Sequence, residues 1–131
     1  SYEKAKRIEP LEEVIDELVD EVRRRHMWRM KHNLCDVVKG LSFQNILQNL
    51  ERISDQCSDL GVNILGIEDD NIYGNEHQYL RDIHHSDDET YNQLFAKYKA
   101  KYMGVLDSMS ADSTDHDDAD IKKQLQLDIV M

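Results

Sequence analysis

Apolar residues recur at three- and four-residue steps along most of this chain, the spacing that lines one face of an α-helix. Ile8, Leu11, Ile15, Leu18 and Val22 fall within a narrow arc, with Glu17, Arg23 and Arg24 elsewhere on the wheel, and predict a first helix from about Glu3 to about His32. Pro10 interrupts that run, because proline lacks an N–H and crowds the preceding turn. Either the helix kinks there, or a frayed N-terminal piece ends at Glu9. His32, Asn33 and the residues up to Gly40 supply a break, Asn being able to take the left-handed conformation that closes a helix. The second helix begins between Asp36 and Ser42, reaches about Leu65, and carries two stripes side by side. Phe43, Leu47, Leu50, Ser54, Gly61 and Ile64 form one, and Ile46, Ile53, Cys57 and Leu60 the other. A face that broad can touch two neighbours, as the central helix of a bundle does. Gly61 and Ser54 are small enough to admit another backbone.

Beyond it, Glu68, Asp69, Asp70, Asn71 and Gly74 read as a polar loop. A short helix from Glu76 to about Ile83 precedes a fresh start at Ser86, where Ser-Asp-Asp-Glu matches a capping box. Tyr91, Leu94, Tyr98, Tyr102 and Leu106 then make an apolar and aromatic stripe that reads as core. Residues 1–106 form one helical bundle on this reading, and 107–131 an acidic tail. Asp107, Asp112, Asp115, Asp117, Asp118 and Asp120 lie there among Ser and Ala without a basic residue, the composition of a solvated, disordered segment, with a short amphipathic helix over Ile121 to Val130.

Composition narrows the fold class to all-α. The 131 residues include one proline, five glycines and 7% aromatics, too little turn and strand chemistry for a many-stranded sheet. A third of the chain is charged and its mean hydropathy is −0.70, so the core is of moderate depth. The net charge of −11 opposes binding to a nucleic-acid backbone, which needs a basic surface to displace counterions. Arg23, Arg24, Arg25, Arg29 and Lys31 are the counter-current, a basic run that either complements a helix C-terminus and screens the preceding acids or docks an anion. No segment approaches the roughly 20 apolar residues needed to span a bilayer. Cys35 and Cys57 are too few for a disulfide framework and read as free, buried thiols in a reducing compartment.

The candidate chemistry lies in two Glu-x-x-x-Asp pairs, Glu12 with Asp16 and Glu51 with Asp55. Residues four apart stand one above the other on a helix, so each pair offers oxygen donors at one level, and two such helices side by side could enclose a cation. Glu51 lies within an angular step of Leu47 and Ser54, and a carboxylate in such surroundings must be paired, protonated or metal-bound. Oxygen-only ligands favour Mg²⁺, Ca²⁺ or Mn²⁺; imidazole or a bridging water makes iron reasonable, and His26, His84 and His85 are available without a spacing that assigns them. Catalytic signatures are missing: there is no Gly-rich phosphate loop, no nucleophile with an evident base, and no Glu-x-x-His pair of the di-iron type, so an enzyme is not expected.

The phrase Leu50-Glu-Arg-Ile-Ser-Asp-Gln-Cys57 closely resembles the signature of PhoU-like domains, helical proteins of phosphate transport and its regulation. Together with Ile8-Glu-Pro-Leu-Glu-Glu-Val-Ile-Asp16, His26, the Cys35-to-Gly40 spacing, Asn49 to Ser58 and His77-Gln-Tyr-Leu80, it is similar to the C-terminal domain of bacterial sodium/phosphate cotransporters, over about Ile8 to Tyr102. That resemblance implies an up-down bundle of about three main helices, the second repeat of a longer domain on the cytoplasmic side of the membrane. It also implies a multinuclear metal cluster, of iron or zinc among others, with Glu12, Asp16, Glu51 and Asp55 as the ligands that match by motif position. The family commonly has His where this chain has Gln56, and often Asp where it has Asn45. The expected partners are the transporter portion of the same polypeptide and, across the surface an absent repeat would cover, a second copy. A metal-free interaction or dimerisation module is the alternative.

Overall fold

The computed structural model describes residues 2–84 and 87–111, with side chains to residue 108. All regular structure among them is helical: α1 (Tyr2–Ala5), α2 (Ile8–Lys31), α3 (Val37–Glu68), α4 (Glu76–His84) and α5 (Glu89–Ala111). The long helices α2, α3 and α5 are the three main ones the periodicity predicts. α2 and α3 form an antiparallel pair, α5 packs on the other side of α2, and α1 and α4 close one end against α3.

Pro10 does not kink the first helix. The chain breaks earlier, at Lys6 and Arg7, and Pro10 becomes the third residue of α2. First-turn N–H groups have no intrahelical partner to lose, so proline costs nothing there, and its ring is fully buried. The far end of α2 closes as the sequence predicts. Asn33 takes φ 56°, and the Asn33 and Leu34 amides donate to the Met30 and Arg29 carbonyls at 3.2 and 2.9 Å, the two bonds of a Schellman closure. Asp36 then caps α3 by accepting from the Lys39 amide at 2.9 Å.

Two of the predicted starts and stops shift. Asp88 caps α5, accepting the Tyr91 amide at 2.9 Å, where the capping-box reading had placed Ser86; Ser86 itself lies outside the described residues. α5 also continues to Ala111, so residues 107–111 are helical although the sequence assigns them to the tail. Asp107 is held there by Arg25 at 3.7 Å, a cation from α2 that local sequence could not supply. The rest of the tail, with the helix expected over Ile121 to Val130, lies outside the described residues.

The core is thin and runs along the helix seams. Val14 is completely enclosed, Val19, Trp28, Leu47 and Tyr91 are buried, and Ala5, Val62, Leu65 and Ile72 form an apolar cluster under α1 and the loop after α3. Only part of the broad apolar face of α3 is used. Leu47 and Ser54 are inside, whereas Ile46, Leu50, Ile53 and Leu60 face outward, and Cys57 stands among them on the surface. The expectation of two buried thiols is thus corrected. Both are free, but Cys57 is exposed, because its position on α3 falls outside the stripe that α2 covers, and Cys35 is half-buried in the connection between α2 and α3.

At Gly61, α3 comes close to the start of α2. A Cβ there would stand 3.0 Å from Ile8 Cδ1 and 3.2 Å from Ile8 Cβ, at the first residue of α2. Gly61→Ala should therefore push the start of α2 outward and lower stability by about 1–3 kcal/mol. Gly104, in α5, has nothing within 4 Å of that position, so Gly104→Ala should gain about 0.5–1 kcal/mol from helix propensity alone. Urea unfolding of both variants tests this, and a Gly61→Ala protein as stable as its parent would contradict the close approach.

A carboxylate cluster between two helices

Glu12 is the most deeply placed of the four carboxylates read from the sequence, 7% exposed on the face of α2 that meets α3. Oxygens of Glu12, Asp16 and Asp55 lie within 4.8 Å of one another, close enough for one cation to touch all three. Glu51, one turn before Asp55, is not brought into that group: its carboxylate accepts from the Arg23 guanidinium across the α2–α3 seam, and it keeps a third of its surface in water. The requirement that Glu51 be compensated is met by an ion pair.

A second group shares Glu12. Its carboxylate, that of Glu9 and the His84 imidazole also lie within 4.8 Å of one another. Glu9 is 8% exposed and doubly held, by the Ser58 hydroxyl, which donates to one oxygen, and by His84 Nε2 at 2.5 Å from the other. The Glu-x-x-x-Asp pattern includes neither Glu9 nor His84. Glu9 is three residues before Glu12 and so on the same helix face, a signal available from spacing alone. His84 belongs to α4, and only the tertiary fold carries it there. His26 goes elsewhere: it is buried against Phe43, with ring centroids 4.6 Å apart. His85 lies outside the described residues.

The two groups line one open cleft of about 300 Å³, walled by Glu9, Glu12, Asp16, Asp55, Ser58 and His84 among others. Asp59 adds a further acid and Arg81 a base at its edge, although the Arg81 guanidinium also donates to Gln78 at 2.8 Å. Acid crowding has a direct electrostatic effect. Burial, helped by Asp16, Glu9 and Asp55 nearby, pushes the Glu12 carboxyl up to about 9, so that it holds a proton and donates it to Asp16. Burial raises Asp16 as well, with Asp55, Glu51 and Asp20 adding to it and the bond from Glu12 opposing it. In this cleft the acids require a proton or a cation.

Three of the arginines of α2 are engaged by acids. Arg24 and Arg25 hold Glu21 at 2.7 and 3.0 Å, and Arg23 reaches both Asp20 at 3.5 Å and Glu51. That agrees with screening of neighbouring acids, the plainer of the two readings of this basic run. Ser54 Oγ and Trp28 Nε1 are buried without a hydrogen-bond partner among the described residues.

An unfolded Glu12 titrates at 4.5 and the folded one at about 9. Between those values the folded chain keeps a proton that the unfolded chain has released, so stability falls as pH rises through this window. The melting temperature of cation-free protein should decline from about pH 4.5 toward pH 9. Glu12→Gln, which keeps the shape and removes the titration, should flatten the decline, and an equal slope in the variant would place the retained proton elsewhere.

Among the described residues no helix is long and apolar enough to cross a membrane. No curated protein and no solved structure matches the chain. A family profile does match: the PhoU domain, over residues 1–64, which hold α1, α2 and most of α3, and with them both Glu-x-x-x-Asp pairs. The match ends inside α3, short of the Tyr102 limit read from the sequence, so α4 and α5 lie beyond it. Residues 1–64, just under half of the chain, are thus similar to the PhoU domain.

Proposed function

We propose that this chain is the regulatory domain of a sodium-dependent phosphate transporter, and that it works by binding a metal ion between α2 and α3. PhoU domains are regulatory and non-enzymatic, and imply control of phosphate uptake in general terms. The observation that carries the finer reading is the buried Glu12, placed within ligand distance of Asp16 and Asp55 on one side and of Glu9 and His84 on the other. A divalent cation at either position would take the place of the Glu12 proton. Glu12, Asp16 and Asp55 alone offer the oxygen set of Mg²⁺, Ca²⁺ or Mn²⁺, while the group that includes His84 suits Mn²⁺, Fe²⁺ or Zn²⁺. Glu51 would act from outside the ligand set, fixing α2 against α3 through Arg23.

The mechanism follows from where the ligands sit. They come from α2, α3 and α4, so an ion drawn among them resists any sliding of these helices and stiffens one arrangement of the bundle. A transporter joined to the domain on the cytoplasmic face of the membrane would read that stiffness. No part of this asks the domain to touch phosphate chemically.

The rival reading is a metal-free interaction module, in which a proton on Glu12 replaces the ion permanently. Calorimetric titration of the purified chain with Mn²⁺ and Zn²⁺ separates the two. Binding with proton release is expected, and Asp16→Asn with Asp55→Asn should weaken it at least tenfold. Ser58→Ala, which frees Glu9, should cost about 10–100-fold at the position that uses Glu9. Heat-silent titrations, or unchanged affinity in the double variant, would favour the metal-free module. The transport claim has its own measurement: sodium-dependent phosphate uptake by the transporter with and without this domain should differ in rate or in its response to phosphate, and identical uptake would count against it.

A further inference from the structure

The outer face of α3 carries an unfilled heptad seam. Phe43, Leu50, Cys57 and Ile64 recur every seven residues, and Ile46, Ile53, Leu60 and Ile67 recur every seven residues three places later, the a and d spacing of a coiled coil. Phe43 and Ile64 are half-buried, packed against His26 and the apolar cluster, but the other positions stand clear of the buried stripe. Leu47, Ser54 and Gly61, one step around the helix, face α2 and α1, whereas Ile46, Leu50, Ile53, Leu60 and Ile67 are 50–78% exposed. From Phe43 to Ile67 the seam runs roughly 36 Å at the helical rise of 1.5 Å per residue.

Its borders are free of charge. Ser42, Asn49, Gln56 and Asn63 line the side away from the core, and the charged residues within this stretch, Glu51, Arg52, Asp55 and Asp59, all project from other faces. In a chain of net charge −11, a long strip without an acid is where a second copy can approach without repulsion. Five exposed aliphatic side chains present on the order of 500 Å² per copy, or about 1,000 Å² in a pair, the lower bound of a specific interface.

We infer that this seam pairs α3 with α3 of a second copy of the chain, antiparallel across a two-fold axis. The sequence is self-complementary in one antiparallel register. Phe43 faces Ile67 of the second copy, Ile46 faces Ile64, Leu50 faces Leu60, and Ile53 faces Cys57, so every a residue meets a d residue. The same register brings Lys39, 83% exposed at its side chain, beside Asp70 and Asn71 of the second copy. A parallel pair would instead set Glu68, Asp69 and Asp70 against their own counterparts. This pairing does not depend on the cation site, which opens on a different face of α3.

Sedimentation of the full chain should give twice its mass of 15.4 kDa. Leu50→Glu with Leu60→Glu should restore the mass of one chain with unchanged helix content, since both side chains are already exposed in the protomer. Orientation is read by a thiol. With Cys35→Ser throughout, Ile53→Cys faces Cys57 of the second copy and should cross-link nearly all of the protein under oxidised glutathione, whereas the protein with Cys57 alone should cross-link poorly. A single-chain mass for the parent, a dimer indifferent to the glutamates, or efficient cross-linking through Cys57 alone would each overturn the antiparallel seam.

Discussion

The constraint on which this structure turns is the burial of Glu12. A carboxylate at the contact between α2 and α3 must be neutralised, and the surrounding groups are mostly acids rather than bases. Cations were available nearby: Arg23, Arg24 and Arg25 follow on the same helix. They are engaged by Asp20, Glu21, Glu51 and Asp107 instead. What remains for Glu12 is a proton or an ion. An ordinary structural position would have had an apolar residue there, because replacing an uncompensated buried acid by one of similar volume removes its desolvation cost.

The neighbouring geometry serves the same constraint. Glu9 is fixed by Ser58 and His84, Tyr91 donates to Glu13, and Asp55 faces Glu12 and Asp16 across the seam. Together these contacts join α2 to α3, α4 and α5. The acids of α2 therefore link the helices of the bundle alongside its thin apolar core.

Much of the helix layout is legible without coordinates. The closure at Asn33, the cap at Asp36 and the Tyr91-to-Leu106 stripe are local events, decided by residues within a turn or two, and short-range periodicity captures them. The carboxylates were legible as two pairs but not as a site. Glu51 and Asp55 share a spacing motif, yet Arg23 takes the first and the cleft takes the second, a division set by a side chain 28 positions away. His84 entered from α4, 75 residues from Glu9, with no spacing to announce it.

The sequence alone determined that the chain is helical, where its long helices run, and that it carries acids at helical spacing in a PhoU-like phrase, since these follow from local propensity and period. Only the tertiary structure decided which acids converge, which apolar stripe of α3 becomes core and which stays on the surface. Helical period places residues on a face of their own helix; the packing of a second and third helix against it settles what that face meets.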